Sequence, residues 1–358
     1  MAVEPVSLAL VGCAKTGDRS GAAWQRALTP FTRAEFVVSD AGLGIAAGVR
    51  AVAAARAEAA AGGEAAVPLR QGLDVFHTAQ AAQRALGGVW RRAEAVWEQA
   101  EAAEAALAAR RRTGRHAQRE ATVAYQAWLK AEHALAGAAR QQAAWQRAHA
   151  ALAVFRADGA LNDRAAAAAD IAAALADLPG ERWRKTRSFL RDERALAFLD
   201  RLHQRLAAAV PEPSLRRACV RRWWLRRQPV GAAPATPAGP VLGLLDAVIR
   251  DRALTGQEQG AYERVAAVLG STVRASSAVE GINSVLRMQQ CRHRRMTQGL
   301  LDLKRLYWNC RRLPTGRRRG RCPYELLGVA LPSTDFWTLL QTPPGALAKQ
   351  LSSPPLTE

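Results

Sequence analysis

The segment Arg216-Arg217-Ala218-Cys219-Val220-Arg221-Arg222-Trp223-Trp224-Leu225-Arg226-Arg227 interleaves six arginines with two tryptophans. Arginine neutralises phosphate and tryptophan can stack on an unpaired base, so these residue types suit a nucleic-acid contact. The same pattern has a plainer use, in which Trp223 and Trp224 anchor a helix bundle while the arginines face water. The plainer use is favoured for the tryptophans, and phosphate contact for some of the arginines, Arg221 and Arg222 among them. A second polar constellation runs from Arg274 to Arg287. At 100° per residue, Ser277, Glu280, Asn283, Ser284 and Arg287 share one arc, and Ala278, Val279, Ile282, Val285 and Leu286 share the opposite one. One face is apolar, and the other presents a carboxylate ringed by hydrogen-bonding groups and an arginine. Taken alone, this is an ordinary amphipathic helix. Arg292, Arg294 and Arg295 follow it, and Met296, Leu300, Leu303 and Tyr307 then recur at core spacing.

These residues need elements to position them, and the chain has material for about two domains. It has 358 residues, with 51 Lys+Arg against 31 Asp+Glu and a formal net charge of +20. Such an excess attracts polyanions, of which nucleic acid is the commonest. Hydrophobic residues make up 49% of the chain, enough for real cores, which excludes wholesale disorder. No apolar run is long enough for a membrane span, and the first residues lack the features of a signal peptide. Five cysteines, none in a CxxC pair, point to a reducing compartment and no disulfide framework.

The first 75 residues read as α/β. Val6 to Val11 is a strand candidate, Trp24 to Leu28 a short helix, and Phe36-Val37-Val38 a strand ending at Ser39-Asp40. Gly42 and Gly44 turn the chain into a helix from Ile45 to about Ala60, and Val67 to Val75 returns as a strand. From about 76 to 270 alanine, arginine, glutamine and glutamate dominate. Trp90, Trp97, Tyr125, Trp128, Trp145 and Phe155 recur there as large anchors, which suits long helices in a bundle. Gln228 to Pro240, with four prolines, reads as a loop. No internal repeat of fixed period is evident.

Several blocks together resemble a DDE-type insertion-sequence transposase. Arg274-x-Ser276-Ser277-x-x-Glu280-x-x-Asn283-Ser284-x-Leu286-Arg287 is similar to the segment bearing the final catalytic glutamate, and Gln298 to Asn309 to the helix after it. Gly316 to Gly328 resembles the family's basic "GxR…SPYELLG" ending. Val37-Val38-Ser39-Asp40-Ala41-Gly42 is similar to the second-aspartate segment, and Leu73-Asp74-Val75-Phe76-His77 to the C/D-x-x-H signature of members with a helical insertion. The resemblance implies an RNase H-like α/β core interrupted by a long, mainly α-helical insertion, helix-rich overall. Its parts would be core at 1–75, insertion at 76–270, C-terminal core helices at 271–330 and a tail at 331–358.

The resemblance implies further that Asp40 and Glu280 hold Mg²⁺ (or Mn²⁺) in a two-ion site. Two such ions clamp the attacking and leaving oxygens of a phosphodiester. Asp74, His77 and Asn283 would support the site; for Asp74 an N-capping role is an equally good reading. Arg287, Arg292, Arg294, Arg295, Arg221 and Arg222 would contact DNA, and Trp223 or Trp224 would hold a flipped base. The first catalytic aspartate has no counterpart here, so a truncated chain that is inactive alone is expected. The partners implied are double-stranded DNA, as element ends and target, and further copies of the chain; no membrane is implied. The location implied is the cytoplasm, at the nucleoid. The alternative is a non-catalytic, basic helical DNA-binding protein.

Overall fold

The structure, a computed structural model, describes residues 1–228, 239–274, 279–284, 296–329, 331, 333, 335–343 and 345–347, with backbone only at 239–244 and 317. It is helix-rich, and its sheets are small. The chain divides into two compact units: residues 1–71 with 275–358, and residues 72–274. The breaks fall a few residues from the composition changes at 75/76 and 270/271.

The unit built from both ends of the chain is α/β. Its first strands, β1 (Ala2–Glu4) and β2 (Ala9–Gly12), pair antiparallel. The apolar run from Val6 to Val11 is therefore half turn and half strand. The reason lies in Glu4, whose carboxylate accepts from the Val6 N–H at 3.0 Å, the Ser7 N–H at 2.6 Å and the Ser7 hydroxyl at 2.5 Å. Three donors on one carboxylate hold the chain in a turn, and Leu8 completes it at φ +63°. Arg318 clasps the outside of the turn through the carbonyls of Val6 (2.6 Å) and Pro5 (3.1 Å).

Helix α1 (Gly21–Leu28) is capped by Ser20 and packs on α2 (Leu43–Ala61). Between them, β3 (Phe36–Ser39) pairs with β4 (Arg70–Leu73), in which this unit ends. Leu28, Ile45, Val49, Val52 and Leu69 form the core there. The glycines of α2 act less as a turn than as a packing surface. Gly42 is the N-cap of α2, whereas a Cβ on Gly44 would stand 1.9 Å from the Arg19 carbonyl and one on Gly48 2.4 Å from the Trp24 Cβ. Toward the chain end come α11 (279–284), α12 (Gln298–Cys310), α13 (Pro323–Leu327) and α14 (Phe336–Gln341). Leu10, Cys13, Ile282 and Leu301 share a second core, with Met296 and Trp308 against it. Leu303 and Tyr307, expected in that core, are exposed; the buried stripe of α12 is Leu301, Asn309 and Cys310.

The unit from Gly72 to Arg274 is helical apart from the end of β4 and a single β-bridge, Phe155 to Leu161. Its two longest helices, α3 (Val75–Arg112) and α4 (Gln118–Ala151), form an antiparallel hairpin. Ala93, Ala100 and Leu107 are buried on one helix, and Ala124, Ala131, Ala138 and Trp145 on the other. The seven-residue steps give a narrow seam of the coiled-coil kind, and alanine lets the helices approach closely. Trp145 is an anchor as expected, whereas Tyr125 is 65% exposed.

The rest of this unit is α5 (Arg164–Ala176), α6 (Arg184–Leu190), α7 (Ala197–Ala209), α8 (Pro213–Leu225), α9 (Gly239–Asp251) and α10 (Gly256–Gly270). Leu202, Leu206, Val210, Cys219, Val220, Ala261, Val265, Val268 and Leu269 tie α7, α8 and α10 together. The expected loop Gln228–Pro240 ends sooner, because Gly239 and Pro240 already belong to α9. Proline suits a first helical turn, where its missing N–H has no partner to lose. The cysteines among the described residues, Cys13, Cys219, Cys310 and Cys322, are free and buried, and burial pushes the Cys310 thiol up to about 11. No described helix is long and apolar enough to cross a membrane.

Candidate functional site

Asp40 stands where the sequence puts it, at the carboxyl end of β3. The strand end is fixed from beneath, since the buried Ser39 hydroxyl accepts from the Gln71 side-chain amide at 2.7 Å. The Asp40 carboxylate is exposed, and its Oδ1 accepts from the Gly42 N–H at 3.2 Å. Among the described residues its Oδ2 takes no hydrogen bond, so one hard oxygen faces solvent from a rigid support.

Glu280 lies on α11, half-buried, in the same compact unit as Asp40. Ile282 supplies the anchor, being 3% exposed and packed against Leu10, Cys13 and Leu301. Ile282 of the apolar arc thus faces the core, Asn283 is half-buried, and the Ser284 hydroxyl donates to the Gly281 carbonyl at 2.8 Å. Among the described residues no group of three His, Cys, Asp or Glu comes together as a metal site. Arg287, Arg292, Arg294 and Arg295 lie outside the described residues.

Asp74 and His77 belong to the helical unit, and the N-capping reading of Asp74 is the one found. Asp74 is the buried N-cap of α3, accepting from the Phe76 N–H at 2.8 Å. Its other oxygen stands 3.6 Å from His77 Nε2.

The arginine–tryptophan segment forms α8 and its end, and its side chains divide by use. Arg221 pairs with Asp246 (Nε to Oδ1, 3.0 Å) and also donates to the Asp158 carbonyl. Arg222 is 5% exposed and donates to the carbonyls of Ile249 (3.0 Å) and Arg252 (2.6 Å). Trp223 has Phe155 stacked on one face, centroids 5.5 Å apart, and the Arg227 guanidinium 3.6 Å from its centroid. Trp224 lies between Arg221, 4.8 Å from its centroid, and Gly159, where a Cβ would come within 2.6 Å of the ring. Gly159 has φ +80° and sits in the turn closed by the Phe155–Leu161 bridge, so the turn lies flat on the indole.

Both tryptophans therefore anchor the bundle, and neither presents a bare face to a base. Arg221 spends its donors within the protein, whereas Arg222 donates inward from Nη1 and its buried Nε has no hydrogen-bond partner among the described residues. Arg217, Arg226 and Arg227 are the exposed arginines of the segment. Nothing in the string of residue types separates Arg222 from Arg226; the apolar period of α8, with Cys219, Val220 and Leu225 buried, does place Arg222 inward.

No family model, no curated protein and no solved structure matches this chain.

Proposed function

We propose that the chain is a DDE-type transposase that acts on DNA, with an RNase H-like core split by a helical insertion. The observation that carries the reading is the assembly of one α/β unit from both chain ends. That unit contains Asp40 and Glu280, while residues 72–274 between them form a separate, mainly helical unit. The +20 charge and the exposed Arg217, Arg226 and Arg227 supply the attraction for a polyanion.

The open Oδ2 of Asp40 and the carboxylate of Glu280 are hard oxygen donors of the kind that suit Mg²⁺ or Mn²⁺. Such ions, when bound, would stabilise charge on the attacking and leaving oxygens of phosphodiester hydrolysis and strand transfer. The residues of this chain would hold and orient: Asp40 from a strand end, Glu280 from a helix seated by Ile282.

The +20 charge, which acts without any metal site, equally favours a second reading, a non-catalytic, basic helical DNA-binding protein. Fluorescence anisotropy with duplex DNA over a salt series tests what the readings share, and both require affinity that falls steeply with salt. Metal-dependent nicking abolished by Glu280→Gln separates them, because the binder alone would bind and never nick.

A further inference from the structure

The hairpin of α3 and α4 is long, α3 alone spanning roughly 57 Å at 1.5 Å per residue. Past Ala93 it buries little on α3 beyond Ala100 and Leu107, the seam it shares with α4. Both flanks of the seam are thus open, and they differ. Measured from Ala100 at 100° per residue, Glu94, Glu98, Glu101 and Glu104 all fall about 40–160° to one side. Measured from Ala131 in the same sense, Tyr125, Leu129 and Glu132 fall in the same range. In antiparallel helices these two sides coincide, and the contact of Trp97 with Trp128, ring centroids 4.8 Å apart, closes the seam there. On the opposite flank Ala103 and Ala106 lie against Arg119, Glu120 and Val123.

One face of the hairpin therefore combines apolar and acidic groups. Tyr125 is 65% and Leu129 48% exposed beside the half-buried Trp97 and Trp128. Five exposed glutamates surround them, and no Lys or Arg occurs between Glu94 and Ala109. In a chain of net charge +20 this is a reversal of sign on a surface that also offers aromatic contact area. An apolar patch rimmed by like charges has the composition of a docking surface for a partner of opposite charge. Two such faces would repel each other, which disfavours a symmetric pairing of hairpins.

We propose that this face docks an arginine-rich surface of a second copy of the same chain, a heterologous contact in which the hairpin of one protomer reaches the basic surface of the next. The partner is argued from charge. The chain carries 51 Lys+Arg, and its basic surfaces include the exposed Arg217, Arg226 and Arg227 of one unit and Arg311, Arg319 and Arg321 of the other.

Sedimentation velocity of the full chain, without DNA, over a concentration series at low and high salt tests this. The expected result is association that strengthens with concentration, weakens with salt, and falls about tenfold or more in Glu94→Lys/Glu98→Lys/Glu101→Lys. Tyr125→Ser/Leu129→Ser should weaken it too while leaving the charge unchanged, with helix content in both variants confirmed by circular dichroism. A monomer at every concentration in low salt overturns the proposal. So does association that is indifferent to salt and to the charge reversal, which would mark an interface elsewhere.

Discussion

The side-chain amide of Asn309 binds both backbone polar groups of Leu10, accepting from its N–H at 2.8 Å and donating to its carbonyl at 3.1 Å. Asn309 thereby replaces a neighbouring strand on the outer edge of β2. Trp308 and Gln298 extend the arrangement, donating to the carbonyls of Leu8 (3.0 Å) and Cys13 (2.9 Å). Asn309 and Leu10 are 2% and 1% exposed, so water cannot take over. Asn309→Ala should cost about 2–3 kcal/mol, because it leaves buried backbone groups unpaired. Denaturant unfolding checks the size, and faster amide exchange over residues 8–13 checks the place.

Gly44 and Gly42 make opposite predictions two residues apart. A Cβ on Gly44 meets backbone at Arg19, which cannot move without shifting α1, so Gly44→Ala should destabilise by about 2 kcal/mol or more. A Cβ on Gly42 crowds the Asp40 carboxylate, at 3.0 Å, which can rotate away, and meets Ile45 Cγ2 at an ordinary 3.5 Å, so Gly42→Ala should be nearly neutral for stability. Parallel thermal melts of the two variants decide it.

Glu258 gives a direction with pH. It forms a capping box with Thr255 at the start of α10 and an ion pair with Arg252, and the Arg252 hydrogen bond, with that from the Thr255 N–H, lowers its carboxyl to about 2. A carboxyl lowered in the folded state contributes stability above its ordinary value near 4.5, and that contribution is lost as pH falls toward 2. Asp192, lowered by Arg194, acts in the same sense. Stability should therefore drop across the acid range, and Glu258→Gln should flatten that drop while leaving the neutral-to-alkaline range parallel. Denaturant midpoints at a series of pH values provide the check.

The arginines of α8 separate stability from DNA binding. Arg222→Ala should destabilise by about 2–3 kcal/mol, because the carbonyls of Ile249 and Arg252 lose a buried charged donor, and should leave the salt dependence of DNA binding unchanged. Arg226→Ala and Arg227→Ala should leave stability nearly intact and reduce the slope of log affinity against log salt by about 0.9 for each phosphate no longer neutralised. Anisotropy titrations at several salt concentrations, with melts of the same proteins, distinguish the two outcomes.

Much of this organisation is legible in the residues themselves. The apolar triplet Phe36-Val37-Val38 ending at Ser39-Asp40 marks β3, and the compositional change to alanine and arginine marks the helical unit. The amphipathic pattern around Glu280 puts Ile282 inward, as found. Other features depend on contacts no local pattern encodes. Alanine at seven-residue steps (93 and 100; 124, 131 and 138) is a repeat, but among so many alanines it carries no hydrophobic contrast. The turn inside Val6–Val11 follows from a carboxylate folding back on its own chain. The strand-like role of Asn309 joins residues almost three hundred positions apart, and the inward use of Arg221 depends on Asp246 and on the Asp158 carbonyl.

Binding of Mn²⁺ by the full chain, followed by the loss of its free-ion paramagnetic resonance signal, tests the central claim most directly. If Asp40 and Glu280 face one pocket, the chain should take up the ion weakly, and Asp40→Asn and Glu280→Gln should each abolish that uptake to the same extent, with the double variant no worse than either. Uptake that survives in both variants, or that responds to one and not the other, would contradict the shared site.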